Sequence, residues 1–168
     1  RTDLPLLPDL FFDILPFAPG GGPYIDALAY SCLLFFIIGS WLKDRSRLAY
    51  GFFLGGLLGF CRSFCIMLNP SMPPLGLAPE LTIEFHATAP GMFFSGHAAY
   101  AFLVYLVYKP RKVWLLWASF VVSLGLVVSH SHYSIDIVGG YAIAYCIYRF
   151  GELRLRDWFF DDRADSVP

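Results

Sequence analysis

The chain has 168 residues, 57% of them hydrophobic and 18% aromatic, with 15% charged and a net charge of −1. Soluble domains carry about 25% charged residues, so this composition is short of the polar surface a water-facing protein needs. A charge near zero and the lack of a basic cluster with interleaved aromatics exclude a nucleic-acid partner. A single membrane-embedded domain over residues 1–168 is expected.

In segment 1–24, Leu4, Leu6, Leu7, Leu10, Phe11, Phe12, Ile14, Leu15 and Phe17 alternate with Asp9 and Asp13. The segment is too short and too proline-broken to span a bilayer, and predicts an interfacial helix or re-entrant piece. Five apolar stretches follow, at 25–42, 48–68, 92–108, 112–129 and 132–150. Each comes near the roughly 20 residues a bilayer requires. Lys43-Asp44-Arg45-Ser46-Arg47 separates the first two, and Lys109-Pro110-Arg111-Lys112 the third and fourth, where proline stops the helix. The last runs into Arg149, Arg154, Arg156 and Arg163. The expected fold is an all-α, polytopic membrane helix bundle with five visible spans.

Ten of the twelve Lys and Arg residues share one side of this arrangement, all but Arg1 and Arg62. The positive-inside rule makes that side cytoplasmic. The opposite side receives segment 1–24, the loop 69–91 and the turn at Ser129-His130-Ser131, and with them all four histidines, including His86. Pro70, Pro73, Pro74, Pro79 and Pro90 make the loop a turn-rich cap. Gly51, Gly55 and Gly59 form a small-residue face for close helix packing. Cys32, Cys61, Cys65 and Cys146 all lie in apolar runs and read as thiols filling helix contacts, since no histidine stands near them as a co-ligand.

The chemistry concentrates in Phe94-Ser95-Gly96-His97 and His130-Ser131-His132-Tyr133-Ser134-Ile135-Asp136. Each puts a histidine where an apolar helix meets the outer face, and Asp136 follows His132 by one helical turn. Both helices aim their N-termini at that face, where unpaired N–H groups favour an anion. Arg62, near the outer end of the second span, is costly in lipid and matches a phosphate with its planar fork. The geometry assigns His132 as nucleophile, Asp136 as the group fixing its tautomer, and His97 as acid and then base. Arg62, the Ser95 hydroxyl and the helix-terminal N–H groups at Gly96 stabilise phosphoryl charge. Tyr133 and His130 complete the expected substrate-contacting set, His130 with a supporting or substrate-contacting role. Each feature has a plainer reading: an interfacial His, an Arg snorkelling to headgroups, an Asp answering a helix dipole. The three converge on one face.

At these residues the chain resembles the type 2 phosphatidic acid phosphatase superfamily, and within it the sphingomyelin synthase-like branch. Ser95-Gly96-His97 is similar to the family's Ser-Gly-His signature, and His132 with Asp136 to its His-x-x-x-Asp. The run from His130 to Val138, with Tyr141, resembles the branch's last motif. Leu4-Pro5-Leu6-Leu7-Pro8-Asp9-Leu10-Phe11 resembles its first, and Arg62 with Pro70, Pro73 and Pro74 its second. Two departures stand out. Ala89-Pro90-Gly91 and Ala98 replace the branch's Cys-Gly-Asp and Thr, and Leu126 holds the place of an arginine found in the wider phosphatase family.

The resemblance implies a six-helix core, with one helix preceding Arg1, and a His-Asp-His site needing neither metal nor cofactor. It implies transfer of a phospholipid headgroup to a lipid alcohol such as ceramide or diacylglycerol, with hydrolysis of a lipid phosphate by water as the alternative. The partners expected are the two lipid substrates and the bilayer. Intact His97, His132 and Asp136 count against a non-catalytic lipid binder.

Overall fold

The computed structural model describes residues 8–18, 21–68, 93–108 and 112–160. Expectations for residues 1–7, the loop 69–91 with His86, and residues 109–111 and 163 lie outside these. The described residues form helices only: α1 (Leu10–Ile14), α2 (Gly22–Lys43), α3 (Arg45–Leu68), α4 (Gly96–Val107), α5 (Val113–Val128), α6 (Ser134–Arg154) and α7 (Arg156–Phe159). The five expected apolar stretches correspond to α2 through α6.

Local chemistry sets the breaks. Pro23 opens α2, where its missing N–H costs nothing. Asp44 ends α2, and its carboxylate accepts the Arg47 N–H at 2.9 Å, capping α3 and producing a tight helical hairpin. α4 starts at Gly96 rather than near 92 because Ser95 is its cap. Successive helices run antiparallel. The starts of α2, α4 and α6 therefore meet the ends of α3 and α5 at one end of the bundle.

α4 lies at the centre, packed against α2, α3, α5 and α6. Its Ala98, Ala99 and Ala101 let neighbours approach, and Leu103, Val104, Leu106 and Val107 fill the core. The glycine face of α3 is a packing surface, as expected. Gly51 faces Phe36, while Gly55 and Gly59 face Tyr100, whose hydroxyl donates to the Gly55 carbonyl at 3.0 Å. A Cβ at Gly59 would stand 2.8 Å from that hydroxyl.

The outer surface is apolar. α5 exposes Val113, Trp114, Leu116, Trp117, Phe120, Val121 and Leu124, a stripe that water would penalise and lipid would not. α2 and α3 are long and apolar enough to cross a membrane; α4 and α5 are apolar but shorter, at 12 and 16 residues. These helices fit a membrane protein. The cysteine expectation needs one correction. Cys32 is buried, and Cys61 and Cys65 pack on the core, but Cys146 is exposed on α6.

The described basic residues Lys43, Arg45, Arg47, Lys112, Arg149, Arg154 and Arg156 sit at the end opposite the histidines. There Arg47 pairs with Asp44 at 3.0 Å, and Tyr50 donates to Glu152 at 3.2 Å, tying α3 to α6.

Candidate active site

The turn carrying His132 is held by backbone bonds to the end of α5. Ser129 N–H donates to Gly125, His130 N–H to Val127, and both Ser131 and His132 N–H to Leu126, over 2.9–3.3 Å. His130 takes a left-handed conformation (φ 49°), one that His adopts more readily than bulky branched residues. The chain thereby reverses within four residues.

His132 lies just ahead of α6 rather than on it, since the helix begins at Ser134. The expected shared helical face is therefore replaced by a capping arrangement. Asp136, in the first turn, bends its carboxylate back over the helix start. Its Oδ2 accepts the Tyr133 N–H at 3.2 Å and stands 3.3 Å from His132 Nδ1. Both side chains are buried, 7% and 3% exposed. The contact engages Nδ1 and not Nε2.

The second histidine segment is joined to the first through backbone. Ser95 N–H donates to the Asp136 carbonyl at 3.0 Å. This approach requires Gly140, where a Cβ would stand 2.9 Å from the Ser95 carbonyl oxygen. The Ser95 hydroxyl, fully buried, accepts the Ala98 N–H at 3.5 Å and caps α4. His97 follows on the first turn, 24% exposed, with Nε2 3.2 Å from Asp26 Oδ1 on α2. Asp26 is half-exposed and was not singled out from the sequence. A carboxylate just inside an apolar span was the available signal, the same one that marked Arg62.

Arg62 reaches this end from α3. Its Nε donates to the Phe94 carbonyl at 3.2 Å, and its guanidinium lies near enough to Asp136 for the two charges to attract. Gly96 makes room for it: a Cβ there would stand 3.1 Å from Arg62 Nε. Ser95, Gly96 and Arg62 thus gather at the start of α4.

The start of α6 differs from expectation. Asp9 accepts both the N–H and, at 3.0 Å, the hydroxyl of Ser134, and Asp136 takes the Tyr133 N–H. Two carboxylates already answer this N-terminus, so its positive end is more nearly neutralised than that of α4. His130 and Tyr133 also face protein. Phe12 stacks on His130 at 4.1 Å and on Tyr133 at 5.7 Å, Phe17 tilts on His130 at 4.8 Å, and Tyr133 is buried. α1 is the short helix expected in segment 1–24, with Leu10, Phe11 and Ile14 exposed outward.

Tyr141 lies deeper between α5 and α6, its hydroxyl 2.7 Å from Ser119 Oγ and accepting from Ser123 at 3.1 Å. These bonds satisfy hydroxyls that lipid would leave unpaired.

No curated protein and no solved structure matches the chain. Residues 91–153 match the family model described as PAP2 superfamily C-terminal, a stretch that holds Ser95, His97, His132 and Asp136 and leaves Asp9, Asp26 and Arg62 outside. The matched stretch is similar to that family and covers less than half of the chain.

Proposed function

We propose that the chain is a multi-pass membrane lipid phosphotransferase of the sphingomyelin synthase-like kind, with its site on the non-cytoplasmic side. The carrying observation is the 3.0 Å bond from Ser95 N–H to the Asp136 carbonyl, which joins the two histidine segments at one mouth of the bundle. In this reading His132 Nε2 attacks the phosphorus of a phospholipid. The bond from phosphorus to the diacylglycerol oxygen breaks, and His97 gives that oxygen its proton. A phosphohistidine remains. The hydroxyl of an acceptor such as ceramide or a diacylglycerol then attacks phosphorus, its proton passes to His97, and the N–P bond breaks.

Asp136 orients His132 and balances the charge its ring acquires. Asp26 does the same for His97. Arg62, the Ser95 hydroxyl and the Gly96 end of α4 bind the phosphoryl oxygens. Every step is served by side chains of this chain, and the proposal invokes no metal or cofactor.

Water as acceptor gives the second reading, favoured by the partial exposure of His97 and Asp26. One experiment separates the two: phospholipid labelled in its headgroup, incubated with protein in liposomes with and without ceramide or diacylglycerol. Label in a new lipid that depends on acceptor supports transfer. Release of free phosphate or phosphoalcohol at saturating acceptor supports hydrolysis, and no product in either form refutes both.

A further inference from the structure

One carboxylate caps two helices that are distant in sequence. Asp9 Oδ1 accepts the Phe11 N–H at 3.0 Å as the cap of α1, and the Asp9 carboxylate also accepts the Ser134 N–H and hydroxyl at the start of α6. The first turn of a helix has N–H groups without intrahelical partners, and here one is satisfied from 125 residues away. Phe12 against His130 and Tyr133, and the Ala18 N–H donating to the Val128 carbonyl at 3.1 Å, fasten the rest of the strap over the same turn.

We propose that Asp9 is a positioning residue for the His132–Asp136 pair, acting through Ser134, with residues 9–18 as a strap that holds the first turn of α6 in register. The assignment rests on the functional reading above for its catalytic consequence, but not for its structural one. Asp136 belongs to the turn that Asp9 caps, and His132 precedes Ser134 by two residues. Fraying of that turn changes the 3.3 Å contact between them before it changes anything in the core. Asp9 touches no reacting atom in this scheme. It sets where His132 points.

The test uses the full chain in detergent or liposomes. Asp9→Ala should increase amide exchange at residues 133–137 by tenfold or more while leaving α2 and α3 unchanged. It should also lower kcat about tenfold, with KM for phospholipid within twofold, since the lost group is not in contact with lipid. Asp9→Asn keeps one of the two oxygen acceptors, so it can hold the Ser134 N–H only by giving up the Phe11 N–H, and it should recover part of both. Ser134→Ala should lower kcat a few-fold alone and add nothing in Asp9→Ala, because the two act through one contact. Wild-type exchange at 133–137 in Asp9→Ala overturns the proposal, and so does a loss confined to KM. Equal damage in Asp9→Asn and Asp9→Ala overturns it also. Where Asp9→Ala fails to fold, Ser134→Pro removes both bonds to Asp9 at a first helical position that accepts proline, and unchanged exchange at 135–137 with unchanged kcat in that variant overturns it alone. A wild-type protein that turns over no lipid refutes the functional reading, while the exchange measurement still decides the strap.

Discussion

Gly140 offers the sharpest test of how tightly the two histidine segments are held. A Cβ at this position would stand 2.9 Å from the Ser95 carbonyl oxygen, 3.4 Å from Ala99 Cβ and 3.5 Å from Ala99 N. Two of these three atoms are backbone, so no rotamer change relieves the contact. Gly140→Ala must therefore move the start of α4 away from α6 by about 0.5 Å to reach ordinary van der Waals separation. Overpacking of this kind costs about 1–3 kcal/mol. The Ser95–Asp136 bond, 3.0 Å in the native crossing, stretches to roughly the limit of a useful hydrogen bond. A misplacement of about 1 Å can cost a hundredfold in rate, so about half that distance costs on the order of tenfold in kcat. Turnover of a fluorescent phospholipid in liposomes and thermal unfolding in detergent measure the two effects. Gly56→Ala is the control. A Cβ there meets nothing within 4 Å, and the change should be neutral or stabilise by up to about 1 kcal/mol. Wild-type turnover and stability in Gly140→Ala would refute the claim that this crossing sets the site.

His132→Ala should abolish turnover, and Asp136→Asn should leave a small residue of it, the losses reaching several powers of ten; full activity in His132→Ala removes the phosphohistidine mechanism. Turnover should survive EDTA and be inhibited by orthovanadate, a phosphate mimic, whereas a strict divalent-cation requirement restored by added metal contradicts the scheme. In a cysteine-free background, an impermeant thiol reagent should reach Phe17→Cys from the non-cytoplasmic side and Lys112→Cys from the other; the reverse pattern inverts the topology. Phe12→Asp, which breaks the stack on His130 and Tyr133, should raise the hydrolysed fraction several-fold by admitting water, and Phe11→Asp, on the outward face of α1, should do so less. Equal effects at the two positions would mean that the stack does not guard the mouth.

The helices and the gathering of Ser95, His97, His132, Asp136 and Arg62 at one end were legible because each depends on local information. Apolar length located α2 to α6, charge bias sorted their ends, and a costly polar residue in an apolar run marked a site. What was not legible depends on contacts between distant segments. The four-residue spacing of His132 and Asp136 reads equally well as a helical face or as a cap folding back on the residue before it. Only the Leu126 carbonyl, which holds the turn, decides for the second. The pairing of Asp26 with His97 needs α2 beside α4, which no periodicity shows. Asp9 stood within a recognised motif, yet its task lies at Ser134, at the far end of the chain in sequence.

The carboxylates at this mouth resolve an apparent conflict with an anionic substrate. Asp9, Asp26 and Asp136 bring three negative charges to a place proposed to bind phosphate. Each is already engaged: Asp9 by Ser134, Asp26 by the His97 ring, and Asp136 by the Tyr133 N–H and the His132 ring. Asp9 and Asp136 together answer the positive end of α6, which removes it as an anion site. Among the described residues the positive end of α4 is capped by the neutral hydroxyl of Ser95, and Arg62 lies against Gly96 there. On the proposed mechanism the phosphoryl group therefore docks on α4 and is attacked from the α6 side, so that binding and nucleophile belong to different helices. Arg62→Gln should then raise KM for phospholipid as well as lower kcat, while Asp136→Asn should act on kcat alone. A pure kcat effect in Arg62→Gln would place the phosphoryl group elsewhere.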